Sequence, residues 1–291
     1  MVQHERDGHT PKIAGCPVCE LAFAQQKGAF KGGVHGKVRA STLNVDLIDW
    51  GVRDNNGNRY HCPGAIVDTS FPSVRAQAGK QGAVTTQNVM SIINEVEALS
   101  DPGGVDGYKV CRIHSDQGSE FKLLGDACGD RGITITTGEA DRHTDGTVIE
   151  GTNKVIEYTC TALALTAVED NKVAIQLHGE LANHAVDIIR LRSRTKWQHD
   201  MNMSCWTEQT LTDAPMHLKN TYRFGSLAYG YLKKSDRDNK LSARAYVGIF
   251  VGWDKAVVGA IRVVPFLLKP DTGAIMLCKT KVTKSFRVFD G

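Results

Sequence analysis

The reading of this chain turns on ten residues, RIHSDQGSEF, Arg112 to Phe121. They close the apolar run YKVCRI, Tyr108 to Ile113, which predicts a strand, and they lead into SEFKLLGDACGDR, which predicts a helix. Asp116 falls at the strand's end, where a polar side chain reaches the sheet's rim without being buried. Gly118 would let the chain turn just after it, and Phe121 would anchor the new helix to the core. GITITTG, 132–138, then predicts a short strand. Taken alone, an aspartate in such a place is an ordinary turn residue.

Working outward, TLNVDLI from Thr42 predicts a strand, DNNGN a tight turn, and YHCPGAIVDTSF a second strand in which Pro63 argues for an edge or a start. VRAQAG predicts a third strand. TTQNVMSIINEVEALS places Val89, Ile92, Ile93, Val96 and Leu99 at helical spacing, with Thr85 as N-cap and DPGG, 101–104, as the stop. Two longer helical patterns follow, from Thr147 to about Val168 and from Val173 to about Leu191. Strands first, then alternation, then helices is the order of a mixed α/β domain. From about Tyr222 the pattern changes to short β-rich pieces separated by charged turns, which predicts a small separate β module over 222–291.

The 291 residues carry a formal charge of +3, 41% hydrophobic and 23% charged residues, an ordinary globular composition. Any basic surface must therefore be local. No run of about eighteen apolar residues and no secretory signal is readable, so no membrane span and an intracellular protein are expected. Of eight cysteines only Cys16 and Cys19 are closely paired. The other six are expected to be reduced, buried thiols.

His4, His9, Cys16 and Cys19 form H-x4-H-x6-C-x2-C within residues 1–23, a donor set suited to tetrahedral Zn²⁺. Metal would also have to order so short a segment. A redox pair is the alternative. Residues 24–41, rich in Gly and Lys, read as a linker.

Asp46 lies in LNVDLID. Strand alternation puts Asn44, Asp46 and Ile48 on one face and Val45, Leu47 and Asp49 on the other, so Asp46 and Asp49 cannot share a site. Asp68 is a rival strand-end carboxylate. Glu150 opens the helical pattern DGTVIEGTNKVIEYT, with Asn153, Lys154 and Glu157 on its face and Val148, Thr152, Val155 and Thr159 on the opposing stripe. Two strand aspartates and a helix glutamate suit Mg²⁺, which takes oxygen ligands and shares its shell with phosphates.

Together these pieces resemble the integrase of copia-type retrotransposons, within the retroviral integrase group. HERDGHTPKIAGCPVC resembles its zinc module, NVDLID and RIHSDQGSEF its two aspartate elements, and DGTVIEGTNKVI its glutamate element. YRFGSLAYGYL, LSARAYVGIFVGW and KPDTGAIMLCKTKV resemble its β segment beyond the core. The resemblance covers almost the whole chain in the family's order. It implies a ribonuclease H-like mixed five-stranded sheet with flanking helices over 42–200, with the zinc module before it and the β module after it. It implies Asp46, Asp116 and Glu150 as an acidic triad binding Mg²⁺ or Mn²⁺, which processes the ends of element DNA and transfers them into target DNA. A homo-oligomer, a polyprotein origin and a nuclear location are implied with it.

IIRLRSRTKWQ concentrates Arg190, Arg192, Arg194 and Lys196 beside Trp197, and YLKKSDRDNKLSAR adds five more cations. Such clusters neutralise DNA phosphates, and Asn153 and Lys154 are candidates for the same contact. Solvated helix ends and charged turns are the alternative for the clusters. Two other readings of the whole chain stand beside the integrase: a catalytically decayed, nucleic-acid-binding remnant, and a ribonuclease H-type nuclease.

Overall fold

The computed structural model describes residues 42–100, 108–137, 147–167, 171–191, 204–219, 221–237, 239 and 242–289, with residues 4, 7, 16 and 18 as isolated positions. His9, Cys19, Arg192, Arg194 and Lys196 lie outside the described residues. His4 is buried and Cys16 half-buried.

The first sheet is built from β1 (Thr42–Val45), β2 (Ile48–Asp49), β3 (Tyr60–Ile66), β4 (Pro72–Gln77), β5 (Arg112–Ser115) and β6 (Thr134–Thr137). β3 runs antiparallel to β1, β2 and β4, while β5 is parallel to both β1 and β6. β1 and β2 meet β3 in one continuous register, Val45 opposite Gly64 and Ile48 opposite His61, so they are one interrupted strand. The sheet therefore reads β4, β3, β1/β2, β5, β6, with only β3 reversed. That is the ribonuclease H-like arrangement expected from the sequence.

Pro63 explains the interruption and corrects an expectation. It lies inside β3, flanked on one side by β1/β2 and on the other by β4, rather than at an edge. Asp46 N donates to Pro63 O at 3.2 Å. In an antiparallel pair the return bond would come from the nitrogen of residue 63, which carries no hydrogen. The missing donor faces the strand that breaks, and the β4 side stays intact.

Alternation assigns the two faces. Leu43, Val45 and Ile113 pack in one buried cluster with Val89, Ile92, Ile93 and Val96 of α1 (Gly82–Ser100). Each fully buried aliphatic side chain contributes about 1.5–3 kcal/mol. α1 begins three residues before the expected cap. The predicted helix after Asp116 divides into a 3₁₀ turn (Ser119–Phe121) and α2 (Leu124–Gly129), with Phe121 buried as expected. The opposite face of the sheet meets α3 (Thr147–Ala167) and, after the short α4 (Asn171–Gln176), α5 (His178–Leu191).

α5 is buried on nearly every side, because a second sheet covers the face that would otherwise meet water. After α6 (Cys205–Thr210) and α7 (Met216–Lys219) come β7 (Leu227–Tyr231), β8 (Ala245–Trp253), β9 (Ile261–Leu268), β10 (Ile275–Leu277), β11 (Lys281–Thr283) and β12 (Phe286–Phe289). Their order is β10, β9, β8, β7, β12, with β11 also on β9. Ile249, Val251 and Val264 of this sheet share one core with Ile156 and Leu163 of α3 and Leu181, Val186 and Ile189 of α5. The second sheet is thus packed onto the first domain's helices rather than standing apart.

Burial on both sides forces α5's charges into pairs. Glu180 pairs with Arg262 of β9 and accepts from Thr280 Oγ1 at 2.8 Å. Arg190, 2% exposed, donates to Pro72 O, Glu95 Oε1 and Ser73 Oγ at 2.8, 2.9 and 2.7 Å and lies over the Phe71 ring. The expectation that Arg190 contacts DNA is overturned: its guanidinium is used up inside the protein.

The histidines beneath this interface are neutral. His178 Nε2 sits 3.3 Å from Val52 O and its Nδ1 3.0 Å from His61 Nε2. A carbonyl accepts only from N–H, so His178 carries its proton on Nε2 and His61 donates to it. Burial, with His178 adding to it, lowers the His61 pKa to about 3, and burial lowers that of His184 to about 4. The unfolded chain takes up these protons first, near about pH 6.5. Stability is therefore full above that pH and falls below it, by about 1.4 kcal/mol per unit per histidine. Urea midpoints at about pH 7.5 and about pH 5 check this, and equal midpoints would contradict it.

Six cysteines outside the N-terminal cluster are free of disulfides, as expected. Cys62, Cys128, Cys160 and Cys205 are buried, but Cys111 is exposed and Cys278 only half-buried. No helix among the described residues is long and apolar enough to cross a membrane.

Candidate active site

The register of two parallel strands builds the site. Thr42, Leu43 and Asn44 of β1 stand beside Arg112, Ile113 and His114 of β5. Carried two residues further, the same offset puts Asp46 beside Asp116, just past the carboxyl ends of both strands. Since Leu43 and Ile113 face α1, the residues one step on, Asn44 and His114, face α3, and Asp46 and Asp116 follow their parity. Adjacent strands lie about 4.8 Å apart, so the two carboxylates are neighbours. The carboxyl ends of strands in open α/β sheets are where ligands bind.

Asp46 is half-buried. Leu47 N donates to its Oδ1 at 2.7 Å and Asn153 Nδ2 of α3 to its Oδ2 at 2.6 Å. Its pKa is raised, first by burial and then by the negative charges of Asp116 and Glu150, against the two hydrogen bonds. The three residues read from the sequence therefore share one field. Glu157, two turns along α3 from Glu150, joins it: burial raises its pKa, Lys154 opposes, and Asp46 raises it further. Asn153 is buried and bonded to Asp46, which corrects its expected place on a DNA-facing surface.

The rivals are placed elsewhere. Asp68 follows β3 at the far end of the sheet, where Val67 N donates to Thr42 O at the start of β1. Asp49 is held by Arg59 at 2.8 and 2.9 Å, and those bonds lower its pKa to about 2.

Gly118 has a reason other than the freedom to turn. Its φ of −57° and ψ of 142° suit any residue. A Cβ there, however, would come 2.8 Å from the Glu120 carboxyl and 2.9 Å from Asp116 Oδ1. Gly118 N also donates to Asp116 Oδ1 at 3.0 Å. Glu120, 8% exposed, is thus a further carboxyl beside Asp116 that the sequence reading did not single out. Its only signal was position, four residues past a candidate aspartate.

α3 holds Glu150 and Asn153 on consecutive turns. Its buried stripe runs Ile149, Thr152, Asn153, Ile156, Thr159, Cys160 and Leu163, whereas Val155 is exposed, contrary to the stripe expected. Gly151 opens the second turn, with open space where a Cβ would sit. Gly151→Ala is expected to stabilise the protein by about 1 kcal/mol, read as a higher urea midpoint at unchanged slope. A lower midpoint would show that the position needs glycine.

Among the described residues no group of three His, Cys, Asp or Glu closes into a metal-ligand set. The donors that do gather are all carboxylate oxygens. Their mutual repulsion, with Asp46 half-buried and Asp116 and Glu150 exposed, fits a hard divalent cation such as Mg²⁺ rather than a soft one.

No family model matches the sequence, and no curated protein matches it. Solved structures do match. A chain of the simian T-cell lymphotropic virus intasome in complex with PP2A regulatory subunit B56 gamma is 14% identical with a TM-score of 0.45, over 93% of this chain and 87% of that one. The HTLV-2 integrase catalytic core domain in complex with magnesium is 13% identical with a TM-score of 0.42, over 60% and 99%. The catalytic core domain of BIV integrase is 16% identical with a TM-score of 0.39, over 59% of this chain and 94% of that one.

Proposed function

We propose that the chain is a divalent-metal-dependent polynucleotidyl transferase of the integrase type, cutting and joining DNA ends at Asp46, Asp116 and Glu150. The observation that carries this reading is the register that sets Asp46 beside Asp116, with Glu150 adding its charge from α3. Asp46 and Asp116 would hold Mg²⁺ or Mn²⁺, with Glu150 completing the set. Bound there, the metal would supply Lewis-acid stabilisation of the phosphoryl oxygens. Asn153 fixes the Asp46 carboxylate, and Gly118 lets Asp116 and Glu120 approach one another. The order of motifs along the sequence supports integrase over a simple nuclease. Homo-oligomerisation and zinc held by His4, His9, Cys16 and Cys19 belong to the same proposal.

The test is strand transfer of a duplex carrying element ends into plasmid DNA, with Mg²⁺ or Mn²⁺ and with chelator. Asp116→Asn is expected to abolish the product, and undiminished joining would sink the reading. The irregular Glu150 region favours the decayed remnant instead: Glu150 is exposed, Gly151 follows it in the helix, and its charge is the weakest of the influences on Asp46. Calorimetric Mg²⁺ titration separates the two, since a remnant would give no binding that depends on Asp46 and Asp116.

A further inference from the structure

Among the described residues four carboxylates are fully buried: Asp54, Glu120, Glu180 and Asp187. All but Glu120 have partners that account for their burial. Asp54 accepts from the backbone nitrogens of Asn56 and Asn58 at 2.9 and 2.8 Å and from Asn58 Nδ2 at 3.1 Å. Glu180 pairs with Arg262, and Asp187 lies 3.7 Å from Arg190 Nη1 and 4.0 Å from Lys255 Nζ. Among the described residues no cation pairs with Glu120. Its hydrogen bond from Ser119 Oγ is 3.5 Å long, beyond the usual range of about 2.5–3.0 Å for a hydroxyl donor.

The Glu120 carboxyl is aimed at Asp116. A Cβ on Gly118 would meet both groups at once, Glu120 Oε2 at 2.8 Å and Asp116 Oδ1 at 2.9 Å, so they face each other across the empty side of a glycine. The turn Ser119–Phe121 fixes that aim, with Phe121 buried in the α1 core and its N donating to Gly118 O at 3.1 Å. Two like charges so placed repel, and a buried charge persists where it is paired or beside a metal. A cation on Asp116 supplies what Glu120 lacks. Mg²⁺ keeps several of its waters when one or two carboxylates hold it, and those waters have hydrogens to donate.

We propose that Glu120 is a positioning residue of the metal centre, its carboxylate accepting hydrogen bonds from the water shell of the divalent cation that Asp116 holds. The inference rests on the carboxylate reading above and adds a residue to it. Contact through water rather than direct ligation follows from Asp116 Oδ1: the oxygen that shares this space with Glu120 is already engaged by Gly118 N at 3.0 Å. Outer acceptors of this kind orient the ligands of a metal, and losing one costs about ten- to a hundredfold in affinity. Any side chain at position 118 would part the two carboxyls, which gives Gly118 a place in the same arrangement.

The experiment is Mn²⁺ titration of the full chain, with free Mn²⁺ followed by electron paramagnetic resonance, beside thermal melts without metal. Glu120→Gln keeps the shape and removes the charge. It is expected to raise the Mn²⁺ Kd about ten- to a hundredfold and to melt no lower than the wild type, since an unpaired buried charge is gone. Gly118→Ala keeps every charge but parts the carboxyls, and is expected to raise the Kd too, with no further rise when the two changes are combined. Asp126→Asn, the same loss of charge at an exposed position of α2, is expected to leave the Kd unchanged. A wild-type Kd in Glu120→Gln would overturn the proposal, and so would an equal rise in Asp126→Asn, which would reduce Glu120 to bulk charge. Asp116→Asn separates the two claims. If it abolishes binding while Glu120→Gln does not weaken it, the catalytic reading stands and this one falls. If it binds Mn²⁺ as the wild type does, the catalytic reading falls and this one with it.

Discussion

Asp116→Asn is expected to lower metal-dependent strand transfer by about a thousandfold or more while leaving the chain folded. The substitution is nearly isosteric, and the amide oxygen still accepts from Gly118 N, so the turn after β5 survives. What disappears is one anionic oxygen donor, and lost transition-state charge stabilisation of this kind costs about 10²–10³ or more in rate. The same change removes a negative charge that raises the Asp46 pKa. The variant should therefore melt no lower than the wild type, and its Asp46 should titrate closer to the usual range. A variant that loses both activity and stability would place Asp116 in the fold rather than the chemistry.

Arg190→Met is expected to cost about 3–5 kcal/mol, because it strips the buried partner from a carboxylate whose side chain is only 13% exposed. Glu95 sits where burial alone would raise its pKa, yet Arg190, Lys255 and Arg75 hold it well below the usual carboxylate range. Arg75 and Lys255 remain at 2.8 and 3.3 Å, which points to the lower half of that range. The methionine also leaves Pro72 O and Ser73 Oγ without their donor. A carboxylate with a depressed folded pKa contributes stability that is present above its unfolded value of about 4.3. That contribution fades as the pH falls through the folded value, so the mutant and wild-type urea midpoints should converge in acid. DNA affinity gives the contrasting readout. A phosphate-contacting arginine would take about 0.9 from the salt slope on duplex DNA, whereas a buried Arg190 leaves it unchanged.

The two cases show how far the sequence reached. Asp116 was legible because an apolar run and a turn fix a strand end locally, and nothing distant is needed to expose its side chain. Arg190 was misread for the opposite reason. A basic cluster after an amphipathic helix looks solvent-facing until a second sheet, beginning nearly forty residues later at Leu227, covers the helix. Asn153 followed the same rule: its helix face was readable, but its target was Asp46, 107 residues away. Strand chemistry alone puts Pro63 at an edge or a start, and only the pairing shows that its missing N–H faces the break between β1 and β2.

By itself, then, the sequence determined what depends on near neighbours: the apolar stripe of α1, the turn at DNNGN, and Asp46 and Asp116 at the ends of apolar runs. Alternation and helical spacing are properties of a few consecutive residues, so they are written locally. Tertiary structure decided what depends on register and cover. The pairing of β1 with β5 joined Asp46 to Asp116, the antiparallel run of β3 sent Asp68 to the far end of the sheet, and the second sheet buried Arg190 and left Tyr229, Tyr231 and Phe289 in water. Each of those outcomes depends on which segments meet in space, a choice made by the summed burial of the whole core and by no single stretch of chain.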